Sequence, residues 1–313
     1  MTWRLPQVFQ RSLESLAAEF LAPPKGLAVD FTAPAGAPAL LHPQSISWRV
    51  MKNPVALIIG GVAAVILELA EPCVRAGVWD HTSFRTDPVA RMKRTGYAAM
   101  ATIYAPADTA RALIAKVNAA HANISGVLPD GRHYAATDPR LLRWVHATAA
   151  FGFVEAYRRF VRPLSPNAID QFYAESRPVG MLYGAENPPD SENALGGCFA
   201  DMHANLQQSD TIFEFIEITR DAAILPSRSL QQLLIRAAVE LLPPQIREHL
   251  GLGREYALQP FTSSIVRALG RAADEIPIES APPAQACVRL GLPSDYLYRR
   301  SASPLVPLAE NLA

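Results

Sequence analysis

Hydrophobic positions along this chain recur mainly at helical spacing, and prolines mark where the helices begin. An Asp or Ser followed by Pro opens a periodic segment at Asp87-Pro88, Asp138-Pro139 and Ser165-Pro166. The side-chain oxygen of the first residue accepts from free amides of the first turn, and proline at the first helical position forfeits no hydrogen bond. The periodicity predicts an amphipathic helix over residues 4–22, then a Pro/Gly/Ala-rich connector to about residue 44. Further helices are predicted near 54–72, 87–103, 108–125, 138–161, 165–177, 192–208, 227–241, 244–250 and 255–274. Only Thr211 to Thr219 alternates like a strand, and it fits a helix equally well. From Pro277 the pattern becomes irregular.

These elements predict an all-α fold: a single helical domain over residues 45–275, preceded by the 1–44 helix and connector and followed by a 276–313 tail. No internal repeat or central linker divides it. Half of the residues are apolar, enough for a sizeable core.

Charge narrows the partners. The 29 basic and 29 acidic residues balance, which gives no reason to expect nucleic acid or an anionic membrane. The longest apolar run, Val55 to Ala70, is interrupted by Gly60, Gly61 and Glu68, so no integral span is expected. Cys73, Cys198 and Cys287 are far apart and form no CxxC, which points away from zinc and disulfides. With no secretory signal pattern at the start, a cytoplasmic location is expected.

Seven histidines are the main carriers of candidate chemistry. His121 shares a predicted helix face with Ile114, Val117 and Ile124, beside the small residues Ala119, Ala120 and Ala122 that would admit a flat group. His146 follows Trp144 on the next helix, on a face with Leu142, Ala149 and Phe153. Spacing does not rank one above the other. Either is an axial ligand for haem iron, both together a two-ligand site, or each a packing residue. Neither has Asp or Glu at helical ligand spacing, which favours haem over a bare metal. A polar loop from Asp80 runs into the helix after Asp87, where Arg91 and Thr95 stand four residues apart and can face one cavity. His133 belongs to a turn and is expected to be exposed. There is no GxSxG elbow and no phosphate loop.

The order of these features resembles a known family. The run begins with Gly60-Gly61 and Glu68-Leu69-Ala70-Glu71-Pro72, followed by Ala76-Gly77-Val78-Trp79-Asp80-His81-Thr82-Ser83-Phe84. Then come Asp87-Pro88, Arg91, Arg94-Thr95, and His121 with Gly126. It closes with Tyr134-Ala135-Ala136-Thr137-Asp138-Pro139 and Trp144-Val145-His146-Ala147-Thr148. Over roughly residues 45 to 255 the chain is similar to the haem-dependent oxygenases of the MpaB and latex-clearing rubber oxygenase type. The resemblance implies a globin-like core around one haem b. It places the axial ligand on His121, through Lys116-Val117-x-x-x-His121-Ala122, and distal residues on Arg91 and Thr95. A lysine of the pattern falls on Arg94, and an arginine cannot sit on iron as a lysine can. The glutamate proposed as base in rubber oxygenases finds no match in the segment before Asp87. His81 and His146 belong to the wider pattern: His81 is a candidate on the distal side, His146 a candidate cofactor contact. The implied function is oxygenation of an apolar small molecule, alkene or isoprenoid-like, with O2 as co-substrate. The alternative is a haem-binding sensor or carrier without turnover. Whether the chain forms a homo-oligomer is open at this stage.

Overall fold

A computed structural model describes residues 28–225 and 227–299. The helix expected at residues 4–22 lies outside them. The described chain is helical apart from one small hairpin. In order it forms α1 (Ile46–Met51), α2 (Pro54–Ala70), α3 (Pro72–Trp79), α4 (Pro88–Tyr104) and α5 (Ala107–His121). The hairpin β1 (Ser125–Val127) and β2 (His133–Ala135) follows. Then come α6 (Pro139–Phe160), α7 (Pro166–Leu182), α8 (Glu192–His203), α9 (Asp210–Asp221) and α10 (Arg228–Leu241). The last helices are α11 (Pro244–His249), α12 (Thr262–Glu275) and α13 (Pro282–Arg289). The chain is thus an all-α domain, as its periodicity predicts.

All three proline-marked starts are helix N-termini: Asp87, Asp138 and Ser165 each accept a first-turn amide. Two more starts follow the same chemistry. Asn53 caps α2 ahead of Pro54. Glu71 ends α2 and caps α3, its carboxylate accepting from the Val74 amide at 2.7 Å. A glutamate cap hides α3 from the usual Ser/Thr/Asp/Asn signal, which is why no separate helix is predicted over residues 72–79.

Other boundaries differ for equally local reasons. Thr211 to Thr219 lies inside α9, capped by Ser209. The final long helix begins at Thr262 instead of 255, because residues 253–261 form turns. The tail read as irregular from residue 276 carries α13, whose Pro282-Pro283 sit at its N-terminus, where proline is tolerated. The turn expected at Gly131-Arg132-His133 closes an antiparallel hairpin, but His133 itself belongs to β2, pairing with Val127 as Ser125 pairs with Ala135.

The core forms around the crossing of α2 and α6, the most extensive helix pair in the fold. Gly60 and Gly152 meet there: a Cβ on Gly60 would lie 2.5 Å from the Gly152 carbonyl oxygen. Only glycine on both sides lets the backbones approach this closely. Trp144 Nε1 donates to Leu67 O at 3.2 Å across the same interface. A second apolar cluster joins α1, α4, α5 and α13 through Trp48, Tyr97, Tyr104 and Cys287.

Candidate functional site

The chemistry-bearing side chains come together where the last turn of α2, the first turns of α4, the end of α5 and the middle of α6 face one another. Asp87 accepts from the Ala90 amide at 3.2 Å and fixes the start of α4, so Arg91 projects from its first turn. The Arg91 guanidinium donates to the Thr95 hydroxyl, and Thr95 Oγ1 donates to Arg91 O at 3.0 Å. The four-residue spacing does pair the two side chains, but Thr95 is turned toward solvent and does not share a cavity with Arg91 as expected. Arg91 is largely enclosed by protein and lies within electrostatic reach of both Glu68 and His121.

Glu68 is the residue that sequence reasoning missed. It sits on the otherwise apolar α2 and accepts from Thr148 Oγ1 at 3.5 Å. Burial pushes its carboxyl up to about 7, with the positive charge of Arg91 and the Thr148 hydroxyl opposing that shift. Its visible signal was a lone acid in an apolar helix, which the periodicity treats only as an interruption.

His121 is the last residue of α5, and its helix face holds Leu113, Ile114, Val117 and Asn118. Ile124 lies beyond the helix end, and Ala119, Ala120 and Ala122 face solvent, so they do not line an approach to the imidazole as expected. The ring borders a half-open pocket of about 180 Å³ lined also by Asn118, Ala136, Thr137, Leu142, Tyr183 and Gly184. Burial and the nearby Arg91 charge hold its pKa below the usual histidine range. The imidazole is thus neutral near pH 7, and its Nδ1 is enclosed without a hydrogen-bond partner. Its position at a helix C-terminus would favour the charged form, but desolvation and Arg91 outweigh it here.

His146 is also neutral, pushed down to about 4 by burial alone, and its Nε2 is enclosed without a partner. Its ring packs on α7, where a Cβ on Gly180 would come within 2.9 Å of the imidazole Cγ and Nδ1. Two expected members turn elsewhere. Arg94 donates to Ser83 Oγ at 2.8 Å and pins the preceding loop to α4. His81 is exposed, with its Nε2 3.1 Å from the Tyr134 hydroxyl on the hairpin. His133 is exposed, as expected.

Among the described residues no group of three or more His, Cys, Asp or Glu side chains is placed to hold a metal ion. A porphyrin brings its own nitrogen donors and asks the protein for one imidazole. A neutral imidazole at a pocket, with a guanidinium within electrostatic reach, is the ligand type that demand names.

No single helix among the described residues is long and apolar enough to cross a membrane. By length and composition only the bent pair α2 and α3, at 112°, passes as a broken span. No curated protein and no solved structure matches the chain significantly. The family described as "ER-bound oxygenase mpaB/B'/Rubber oxygenase, catalytic domain" matches residues 48–274. That span runs from α1 to the end of α12 and includes Glu68, Arg91, Thr95, His121 and His146. The match selects the oxygenase over the carrier without turnover. This chain belongs to the mpaB/rubber oxygenase catalytic-domain family and is an oxygenase, an oxidoreductase.

Proposed function

We propose that the chain holds a haem b through His121 and oxygenates an apolar small molecule with O2. One observation carries the reading. His121 presents a neutral imidazole at a cavity, within electrostatic reach of the enclosed cation Arg91, which is itself coupled to Glu68. A haem bound there would supply oxygen activation.

The chain's own residues divide the remaining tasks. Arg91 brings a fixed positive charge into an enclosed region, where it stabilises negative charge better than it would in water. Thr95, bonded to the Arg91 guanidinium, restrains that side chain. Glu68 holds a proton near neutral pH, with one oxygen accepting from Thr148. It is suited to exchange that proton with a reacting group. All three cysteines are unpaired and buried, which suits work in a reducing cytoplasm. His81 and Arg94 act from the rim, through Tyr134 and Ser83, and organise the loop that leads into α4.

The test is oxygen-dependent product formation from a panel of apolar alkenes by the haem-loaded protein. Arg91→Ala should keep the haem spectrum and lose activity by two orders of magnitude or more, on the order of a lost electrostatic donor. Full turnover in Arg91→Ala would contradict the assigned role.

A further inference from the structure

Two buried polar atoms of opposite sense lie one helical turn apart on the inner face of α5. His121 Nδ1 and Asn118 Oδ1 are both enclosed, and neither has a hydrogen-bond partner. Both residues line the same cavity of about 180 Å³. The Asn118 amide cannot turn freely, because its Nδ2 donates to Leu182 O at 2.9 Å. That bond assigns nitrogen to the α7 side and leaves the carbonyl oxygen unused. The hydroxyl of Tyr183, which follows α7 and lines the same pocket, is 2.9 Å from Thr102 Oγ1 and already engaged.

A neutral imidazole carries one N–H and one lone pair, and its environment decides which nitrogen has which. A buried N–H left without an acceptor is unfavourable, as is a buried carbonyl left without a donor. One arrangement satisfies both atoms. We propose that Asn118 is the positioning residue for His121: its Oδ1 accepts from His121 Nδ1–H directly, after a small ring rotation. The consequence is a fixed tautomer, with the lone pair on Nε2. An acceptor on one imidazole nitrogen orients the ring and strengthens the other nitrogen as a ligand. Asn118 thereby prepares His121 for the role proposed above, and the significance of the inference, though not its direct test, rests on that reading.

The tautomer can be read on the full-length chain without any cofactor. Selective 15N-histidine labelling with long-range nitrogen–proton correlation distinguishes Nδ1–H from Nε2–H at His121, assigned by its loss in His121→Gln. The wild type should show Nδ1–H. Asn118→Leu, close in shape but without an acceptor, should shift His121 toward the Nε2–H form that water favours. Asn118→Asp should restore Nδ1–H, which a merely structural loss would not do. With hemin added, Asn118→Leu should bind about 10–100-fold more weakly. An Nε2–H tautomer in the wild type, or an unchanged one in Asn118→Leu, would overturn the proposal. A tautomer that shifts while hemin affinity stays constant would uphold Asn118 as the positioning residue and remove His121 as the ligand.

Discussion

Thr148 Oγ1 lies 3.5 Å from Glu68 Oε1 across the α2–α6 interface, so one carboxyl group is held inside the fold within electrostatic reach of Arg91. Its titration has a consequence for stability. The Glu68 pKa is raised from 4.5 to about 7, chiefly by burial. Stability from this group is therefore fully present below the unfolded value and lost as pH rises through about 7. Glu68→Gln does not titrate. Thermal melts across pH should show the variant gaining on the wild type between about 4.5 and 7 and running parallel above. Activity of the wild type should show an inflection near 7 that the variant lacks. Parallel melting curves throughout that range would mean that the carboxyl is solvated in solution.

The Gly60–Gly152 contact predicts a sharp contrast between neighbouring glycines. A methyl group on Gly152 meets the backbone of Gly60, which cannot yield as a side chain could. Gly152→Ala should destabilise by about 1–3 kcal/mol, lowering Tm by about 2–4 °C for each kcal/mol in a domain of this size. Gly61 has nothing within 4 Å of an added Cβ. Gly61→Ala should be neutral or stabilising by up to about 1 kcal/mol, because alanine suits a helix interior better. Equal melting temperatures for the two variants would refute the crossing as described.

A polar cluster distant from the proposed chemistry ties α1, α6 and α12 together. Asp274 accepts from Lys52 Nζ at 2.7 Å and from Arg162 Nε at 2.8 Å, and the Tyr157 hydroxyl is 3.2 Å away. Lys52 is buried, and removing its counter-ion strands a charge. Asp274→Leu should cost about 3–5 kcal/mol. Lys52→Met should cost less, because Arg162 still neutralises the carboxylate. Denaturant titrations of the two variants check the order, and a larger loss for Lys52→Met would contradict it.

Helix starts were legible in the sequence wherever a small polar cap preceded proline, as at Asp87, Asp138 and Ser165. The start at Glu71 was hidden because glutamate is an uncommon cap, and α9 because its residues alternate like a strand. The candidate site was legible in part. Arg91 and Thr95 meet because four-residue spacing on a helix brings them together. His121 and His146 both face inward, as periodicity indicated. Glu68 was not legible, since its importance depends on α2 crossing α6 and bringing Thr148 opposite it. Nor could spacing show that Arg94 turns to Ser83 or His81 to Tyr134, because loop geometry decides both.

The central claim, that His121 is the haem ligand, is tested most directly by absorption spectroscopy of the protein reconstituted with hemin. The account predicts a Soret band in the wild type that is lost in His121→Ala and retained in His146→Ala. A band that survives in His121→Ala and disappears in His146→Ala would contradict it.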